Sequence, residues 1–433
     1  MKGLLFTYAL TYGGAVVSLF SPWYGLLVYV CFAIIRPDWL WFWAVPPGNY
    51  SRIVAIGLLA GWFFRGFGDW RFGRATPSVA CIAAFMFWTA ASAAGAVGDS
   101  EAAWRFVEDL SKIVLPFVVA MTLIESVAQL KQLAWVIVLS TGYVAFELNL
   151  SYYQGYNRAR EEGLGPLDNN GAALMMVTAA SVALFLALGE SRWWRRFLAL
   201  AAAGLMVNCA MFCFSRGGIL ALIVTAVVGF LVVPKRGVHY LLFLLAVLAG
   251  FRLAGPEVVD RFMTVFAEKE ERDASASSRM ELAANCLELM KEHPLFGIGP
   301  MQFPFVSHRF GWPEGKQAHT MWLQVGAEQG VPGLGLLLGF YGATIIGLWR
   351  FRRQLLERDP WLLDVARMVT ASLAGFGVAA HFLSVQTVEL PYYIALLGAG
   401  ALKCATSTGG ARLETTTRGG NSTVFLHSIA APL

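Results

Sequence analysis

An all-α, polytopic membrane helix bundle is the fold class predicted for this chain, and three observations predict it. Hydrophobic residues fill 57% of the 433 positions and charged ones only 14%, against about 25% charged in an ordinary soluble domain. The mean hydropathy is +0.58, and the apolar residues come in repeated long runs, of which about 20 are needed to cross lipid hydrocarbon. Lipid offers no partner to bare backbone polar groups, so such runs are expected to be helices. Strands of an outer-membrane barrel would instead alternate apolar and polar side chains over about 10 positions.

Taken in order, the first apolar run covers Leu4 to Phe20, and after Ser21-Pro22 a shorter one covers Trp23 to Ile35. The aromatic-rich Arg36-Pro37-Asp38-Trp39-Leu-Trp-Phe-Trp43 reads as an interfacial belt. A third run, Ile53 to Phe64, ends in the basic loop Arg65, Arg71, Arg74, and a fourth lies over Pro77 to Val97. Gly98 to Asp109 reads as an acidic loop, Glu125 to Lys131 as a short junction, and Tyr152 to Asn170 as a polar loop of mixed charge. Arg192, Arg195 and Arg196 make a basic junction, Ser215-Arg216 a tight turn, and Lys235-Arg236 another basic junction. The long polar insert follows, then a run beginning at His319, the basic loop Arg350 to Arg358, and runs over Leu362 to Leu383 and Pro391 to Leu402.

Basic residues concentrate in cytoplasmic loops. That rule places the loops at Arg65, Arg192, Lys235 and Arg350 on the cytoplasmic side. Alternation then puts the loop at Tyr152, the Ser215-Arg216 turn and the polar insert together on the opposite face. About twelve spans result, uncertain by one or two near the N-terminus. The chain divides into spans with short loops (1–254), a large, partly helical loop (255–318), C-terminal spans (319–404) and a Thr/Ser/Gly-rich tail (405–433). The tail has too few apolar residues to form a core and is expected to be disordered.

The net charge of +5 lies in these topogenic loops and gives no sign of a nucleic-acid partner. Of six cysteines, Cys286 alone lies in the polar insert, which argues against a disulfide framework.

Several elements could carry chemistry. In Ser215-Arg216-Gly217-Gly218 the serine suits a helix N-cap. The amides and dipole beyond it suit an anion such as phosphate, and the Arg216 fork fits phosphate oxygens. The two glycines would let a ligand approach the backbone; the competing reading is an interfacial arginine reaching up to water. Within the insert, Ser278-Arg279-Met280-Glu281 has the capping-box pattern and is expected to open an amphipathic helix that ends before Pro294. Arg279 would then sit in a first turn, a poor place for a cation unless an anion joins it; a salt bridge to Glu281 or Asp273 is the alternative.

The loop at Tyr152 carries Arg158 and Arg160 beside aromatic and amide side chains, a set suited to a sugar diphosphate. Arg160 is followed directly by Glu161 and Glu162, which could neutralise it, and this favours Arg158. Asn169 or Asn170 is placed to cap the next helix. His319 stands at a span boundary, where an imidazole near neutral pKa can take a proton from a hydroxyl, although a lone histidine at an interface is more often structural. Glu328 follows about two and a half helical turns later, on one polar face with Gln324, as an ionisable group at membrane depth. Asn170, Trp322 and Glu328 join Arg158 and Arg160 as candidate substrate-binding residues.

No Asp-x-Asp pair, Walker-type loop, His-Glu-x-x-His or Cys-x-x-Cys is present, and the remaining histidines lack metal-ligand spacing. A mechanism without metal or cofactor is expected, with arginines supplying positive charge.

The Ser-Arg-Gly-Gly turn, Glu292-His293-Pro294-Leu-Phe-Gly297-Ile-Gly299 and Ala318-His319-x-x-x-Leu323-x-x-x-Ala327-Glu328-x-Gly330-x-Pro332-Gly333-Leu334 together resemble the O-antigen ligase and polymerase superfamily, from about Tyr152 to Leu336. Ser-Pro-Trp-Tyr-Gly and Ile-Arg-Pro in the N-terminal third are similar to the branch labelled exosortase-associated glycosylation ligases. Thr320 departs from the family pattern, which commonly has Asn or Ser after the histidine; it keeps a hydroxyl.

The resemblance implies a multi-pass glycosyltransferase of the bacterial inner membrane with its active face, and the loop 255–318, in the periplasm and its tail in the cytoplasm. The donor would be a glycan on undecaprenyl diphosphate. Arg216, Arg279 and His319 would inherit the catalytic roles, and Arg158 a binding role. The leading expectation is an O-antigen ligase acting on lipid A-core, by a single inverting displacement. A polymerase or a protein O-glycosylating ligase would use the same donor, and a lipid-linked glycan transporter is the alternative of another class.

Overall fold

A computed structural model describes residues 2–406 apart from 236, 242, 246–247, 249–251 and 253–273. Among the described residues every regular element is a helix, and strand pairing is limited to one isolated bridge, Leu164 with Leu167. Among the described residues seven helices are long and apolar enough to cross a membrane, and two shorter ones, Tyr50–Phe64 and Arg216–Val232, are apolar. We number the main helices α1 (Lys2–Phe20), α2 (Pro22–Ile35), α3 (Tyr50–Phe64), α4 (Thr76–Ala93), α5 (Ser100–Leu123), α6 (Val127–Tyr153), α7 (Asn169–Gly189), α8 (Trp193–Phe212), α9 (Arg216–Val232), α10 (Ala274–Glu292), α11 (Met321–Arg350), α12 (Pro360–Ala379) and α13 (Leu390–Thr406).

The acidic stretch Gly98 to Asp109, expected as a loop, is instead mostly helix. Asp99 caps α5 by accepting from the amides of Glu101 and Ala102. Its charges then pair along the helix surface, Glu101 with Arg105 and Glu108 with Lys112, as four-residue spacing favours.

α7 and α13 form the centre. Almost every side chain of both is buried, α7 against α6, α8 and α12, and α13 against α5, α11 and α12. Small residues set the spacing at the N-terminal end: a Cβ on Gly61 would lie 2.1 Å from the Ser18 carbonyl oxygen, and one on Gly25 would lie 2.1 Å from Ser18 Oγ. Close backbone approach of this kind drives helix association in lipid. The outer helices turn Phe20, Phe64, Phe87, Trp193 and Phe197 outward, as a lipid-facing surface requires.

The two ends of the bundle differ chemically. One gathers Lys131, Asp359, Glu190 and Arg195 around Trp361. α7, with 21 residues, carries the chain about 30 Å away from it, to an end where α7, α9 and α11 all begin.

The 254/255 boundary falls outside the described residues, as do 253–273 of the polar insert and 407–433 of the tail. α13 runs to Thr406, just past the expected start of the tail. The six cysteines are free thiols.

Candidate active site

The site is built where α8 ends. The last carbonyls of a helix lack intrahelical donors, and here asparagines supply them: Asn157 Nδ2 donates to the Phe212 carbonyl at 2.8 Å and Asn169 Nδ2 to the Cys213 carbonyl at 2.9 Å. The loop 154–168 is thereby pinned onto the turn that follows α8. Phe214 then takes a left-handed φ of 50°, and Ser215 caps α9, its Oγ accepting from the Gly218 amide at 3.0 Å and donating to Asn170 Oδ1 at 2.7 Å.

The residue capping α7 is Asp168, which accepts from the Gly171 amide at 2.9 Å, rather than Asn169 or Asn170. Those two are the first helical residues and hold the neighbouring turn. The glycines after Arg216 serve packing instead of ligand approach: a Cβ on Gly218 would stand 2.6 Å from Ala173 Cβ, and one on Gly217 3.0 Å from the Phe382 ring.

His319 enters from the third helix start. It adopts φ 52°, a left-handed conformation that disfavours a side chain by about 1–2 kcal/mol. Its amide donates to Ser384 Oγ at 3.2 Å, and that hydroxyl donates to Gln324 Oε1. Among the described residues the His319 ring makes no hydrogen bond. Of the five non-glycine residues with left-handed φ among the described residues, His319 and Phe214 both lie here, and strain of this type clusters at functional sites. Thr320 occupies the cap position of α11 without a side-chain cap bond, and its hydroxyl is buried without a partner.

Arg279 reaches this point because of α10. Leu282, Cys286 and Leu289 form a buried stripe that docks on Ile298, Phe303, Ala318 and Ala327, and Arg279 continues the stripe one turn earlier. The helix is already formed at Ala274, so Ser278 does not open it and Arg279 is not in its first turn. What disfavours its charge is therefore burial first, then Arg216 nearby, with Asp168 opposing; together they hold its pKa below the usual arginine value. The alternative of a salt bridge to Glu281 is not realised, and Asp273 lies outside the described residues.

His319 feels the same field. Burial, then Arg279 and Lys316, lower its pKa below the usual 6.5, with Asp168 again opposing. A half-buried imidazole that stays neutral at pH 7 is thus held within electrostatic reach of Arg279, which in turn neighbours Arg216. Ser215 and Asn170 join the starts of α9 and α7, each the positive end of a helix dipole, and Asp168, which caps α7, acts on His319 just before α11. Such an arrangement is chemically suited to an anion, with a neutral imidazole at its edge that could accept a proton.

The other expected residues are distributed differently. Arg158 is buried and spends its fork inside the protein: Nε on Glu162 at 2.8 Å, Nη1 on the Leu40 carbonyl at 2.9 Å and Nη2 on the Trp39 carbonyl at 2.8 Å. It ties the loop to the α2–α3 connection. Arg160 is exposed, 3.8 Å from the Glu161 carboxylate, with its guanidinium over the ring of Phe214, beside the Ser215 turn. Of the two arginines, Arg160 is the one at the site. Trp322 donates to the Gly377 carbonyl at 2.9 Å and packs edge-on against Tyr341 and Phe376, joining α11 to α12.

Glu328 is fully buried and accepts from the amides of Met301 and Phe303 and from Gln324 Nε2, at 3.0, 3.0 and 2.9 Å. It belongs to a break in α11. Gly330 has φ 73°, and Pro332 lacks the amide that would satisfy the Glu328 carbonyl. The Gly299 amide takes that place at 2.8 Å, Ile298 bonds the Ala327 carbonyl at 3.1 Å, and Val331 bonds Pro294 at 2.9 Å. Leu295 leaves no room at Gly330, where a Cβ would stand 1.9 Å from its carbonyl oxygen. The Pro294-to-Gly299 and Gly330-to-Gly333 motifs are two halves of one joint.

Among the described residues no group of three or more His, Cys, Asp or Glu could hold a metal ion. Sequence reasoning missed Asp168, whose signal is an Asp directly before an apolar run, and Ser384, whose role depends on a distant loop.

No curated protein matches the chain. A family model described as O-antigen ligase matches residues 201–338, from within α8 to within α11, and so includes Ser215, Arg216, Arg279 and His319. The apolar helices and the match together point to a multi-pass membrane protein. Over residues 201–338 the chain is thus similar to the O-antigen ligase family.

Proposed function

We propose that the protein is an O-antigen ligase that moves a whole glycan from undecaprenyl diphosphate to a sugar hydroxyl of lipid A-core. The observation that supports the reading is that Arg279 lies within electrostatic reach of both Arg216 and His319, beside the turn where Ser215 and Asn170 join the starts of α9 and α7. In the reaction, His319 takes the proton of the acceptor hydroxyl as its oxygen attacks the anomeric carbon. The carbon–oxygen bond to the diphosphate breaks, and both electrons leave with the lipid diphosphate. Arg279 and Arg216 balance the charge that develops there, where preorganised donors act most strongly, and Arg160 extends the cationic edge toward the donor. A single displacement inverts the anomeric carbon. The matched charge makes diphosphate a competent leaving group with no metal or cofactor.

The enzyme would lie in the bacterial inner membrane, with this end of the bundle and the loop 255–318 in the periplasm and the basic loops in the cytoplasm. Purified protein given lipid-linked glycan and separate acceptors tests the reading. Transfer to lipid A-core that persists in EDTA is expected. Transfer confined to a second lipid-linked glycan would make it a polymerase, and translocation without bond cleavage would make it a transporter.

A further inference from the structure

A cavity of about 540 Å³ opens between the end of α2, the start of α3, α5 and the loops 165–166 and 387–389. It is within the size range of small-molecule sites, roughly 300–1,000 Å³. Two of its walls run directly out of the candidate active site. Thr387 lies three residues beyond Ser384, the hydroxyl that holds His319, a reach of at most about 11 Å. Pro166 lies two residues before Asp168, at most about 7 Å.

The lining differs in kind from the arginine site. Arg36 forms an ion pair with Glu389 at 2.9 Å and Lys112 one with Asp109 at 2.9 Å; Asp38 adds a further carboxylate. Two cations against three carboxylates give this wall a slight negative excess, the wrong sign for a second diphosphate. The rings of Trp39 and Tyr50 and the hydroxyl of Ser51 complete it. Arg36 is itself held in a left-handed conformation, φ 48°, with Glu389 on its Nη2. Mutually neutralised polar groups beside aromatic faces suit a ligand that is uncharged, rich in hydroxyls and apolar on its ring faces, because polar groups that bond a hydroxyl discriminate in its favour.

We infer that this cavity is the acceptor subsite and takes an uncharged saccharide segment of the acceptor, presenting one hydroxyl to His319 while the donor diphosphate occupies the arginines. The assignment rests on the glycosyl-transfer reading above. It separates the two substrates by charge, the donor at the cationic helix starts and the acceptor at the neutralised wall.

The test uses full-length protein in lipid nanodiscs, delipidated lipopolysaccharide core oligosaccharide as the probe, and two variants. Ser51→Trp fills the cavity and Asp109→Asn alters its hydrogen bonding without filling it. Saturation-transfer NMR is expected to lose the oligosaccharide signal in S51W. Transfer kinetics are expected to show acceptor KM raised at least about tenfold in S51W and about threefold in D109N, with donor KM within about twofold of wild type. Wild-type saturation transfer and acceptor KM in S51W would overturn the subsite while leaving the transferase reading standing. Probe binding that S51W abolishes, in a wild-type protein that transfers nothing, would uphold a saccharide cavity and overturn the transferase reading. If S51W does not fold, D109N decides, and an unchanged acceptor KM overturns the proposal.

Discussion

Two polar clusters lie within three turns of each other along α11, and they are opposites. Around Glu328 each carboxylate oxygen has donors, the broken helix is completed by Gly299 and Pro294, and the group is fully buried. Around His319 the backbone is strained, the charges are mostly of one sign, and the imidazole and Arg279 are half-buried with no hydrogen-bond partner among the described residues. Polar groups satisfied inside the fold contribute to stability. Those held in unfavourable surroundings mark function. Residues that a motif places side by side can therefore belong to different categories, and substitution should separate them.

The largest effect is expected at His319. His319→Ala should lower kcat/KM about 10²- to 10⁴-fold, the range for losing a general base, with donor binding retained in a pull-down on lipid-linked glycan. Arg279→Ala and Arg216→Ala should each lower kcat about 10²- to 10³-fold. Lysine at position 279 should restore part of that loss, since it returns charge without the fork. Glu328→Gln should reverse the pattern. Replacing an acceptor by an amide against three donors destabilises by about 2–3 kcal/mol, read as a lower midpoint of thermal unfolding in detergent, while the rate per folded molecule stays near wild type. A catalytic loss in E328Q as deep as that in R279A would erase the distinction between the clusters.

The smallest contrast is between neighbours. Arg158→Gln removes bonds to two carbonyls and Glu162 and should lower stability by about 1–3 kcal/mol without changing donor KM. Arg160→Gln should leave stability alone and raise donor KM about threefold. The reverse result would return Arg158 to the substrate.

Much of the fold was legible because hydropathy and charge are one-dimensional signals. Long apolar runs became α6, α7, α8, α11 and α12, and the basic junctions at Arg192, Lys235 and Arg350 lie at helix ends remote from His319. The Ser215 cap was legible for the same local reason. What depended on distant partners was not. Ser278 and Glu281 have capping-box spacing, yet the helix begins upstream because the docked stripe from Arg279 to Leu289 stabilises it as one piece. Arg158 looked freer than Arg160, since the carbonyls of Trp39 and Leu40 that engage it come from the other end of the chain. The glycines of the two closing motifs read as family signature alone until Gly297 and Gly330 were seen meeting the opposite strand of the joint, where a Cβ would stand 2.3 Å from the Glu328 carbonyl carbon and 1.9 Å from the Leu295 oxygen.

The central claim is that His319 and Arg279 act on one substrate in one electrostatic field. Its most direct test is the pH dependence of kcat/KM for transfer in wild type and Arg279→Gln. In wild type His319 is held below its usual pKa by burial and then by Arg279, so activity should persist into mildly acidic solution and fall as the imidazole gains its proton. Removing the Arg279 charge lets that pKa rise, and the acid limb should move to higher pH together with the loss in rate. An acid limb that stays in place in R279Q would contradict the shared site.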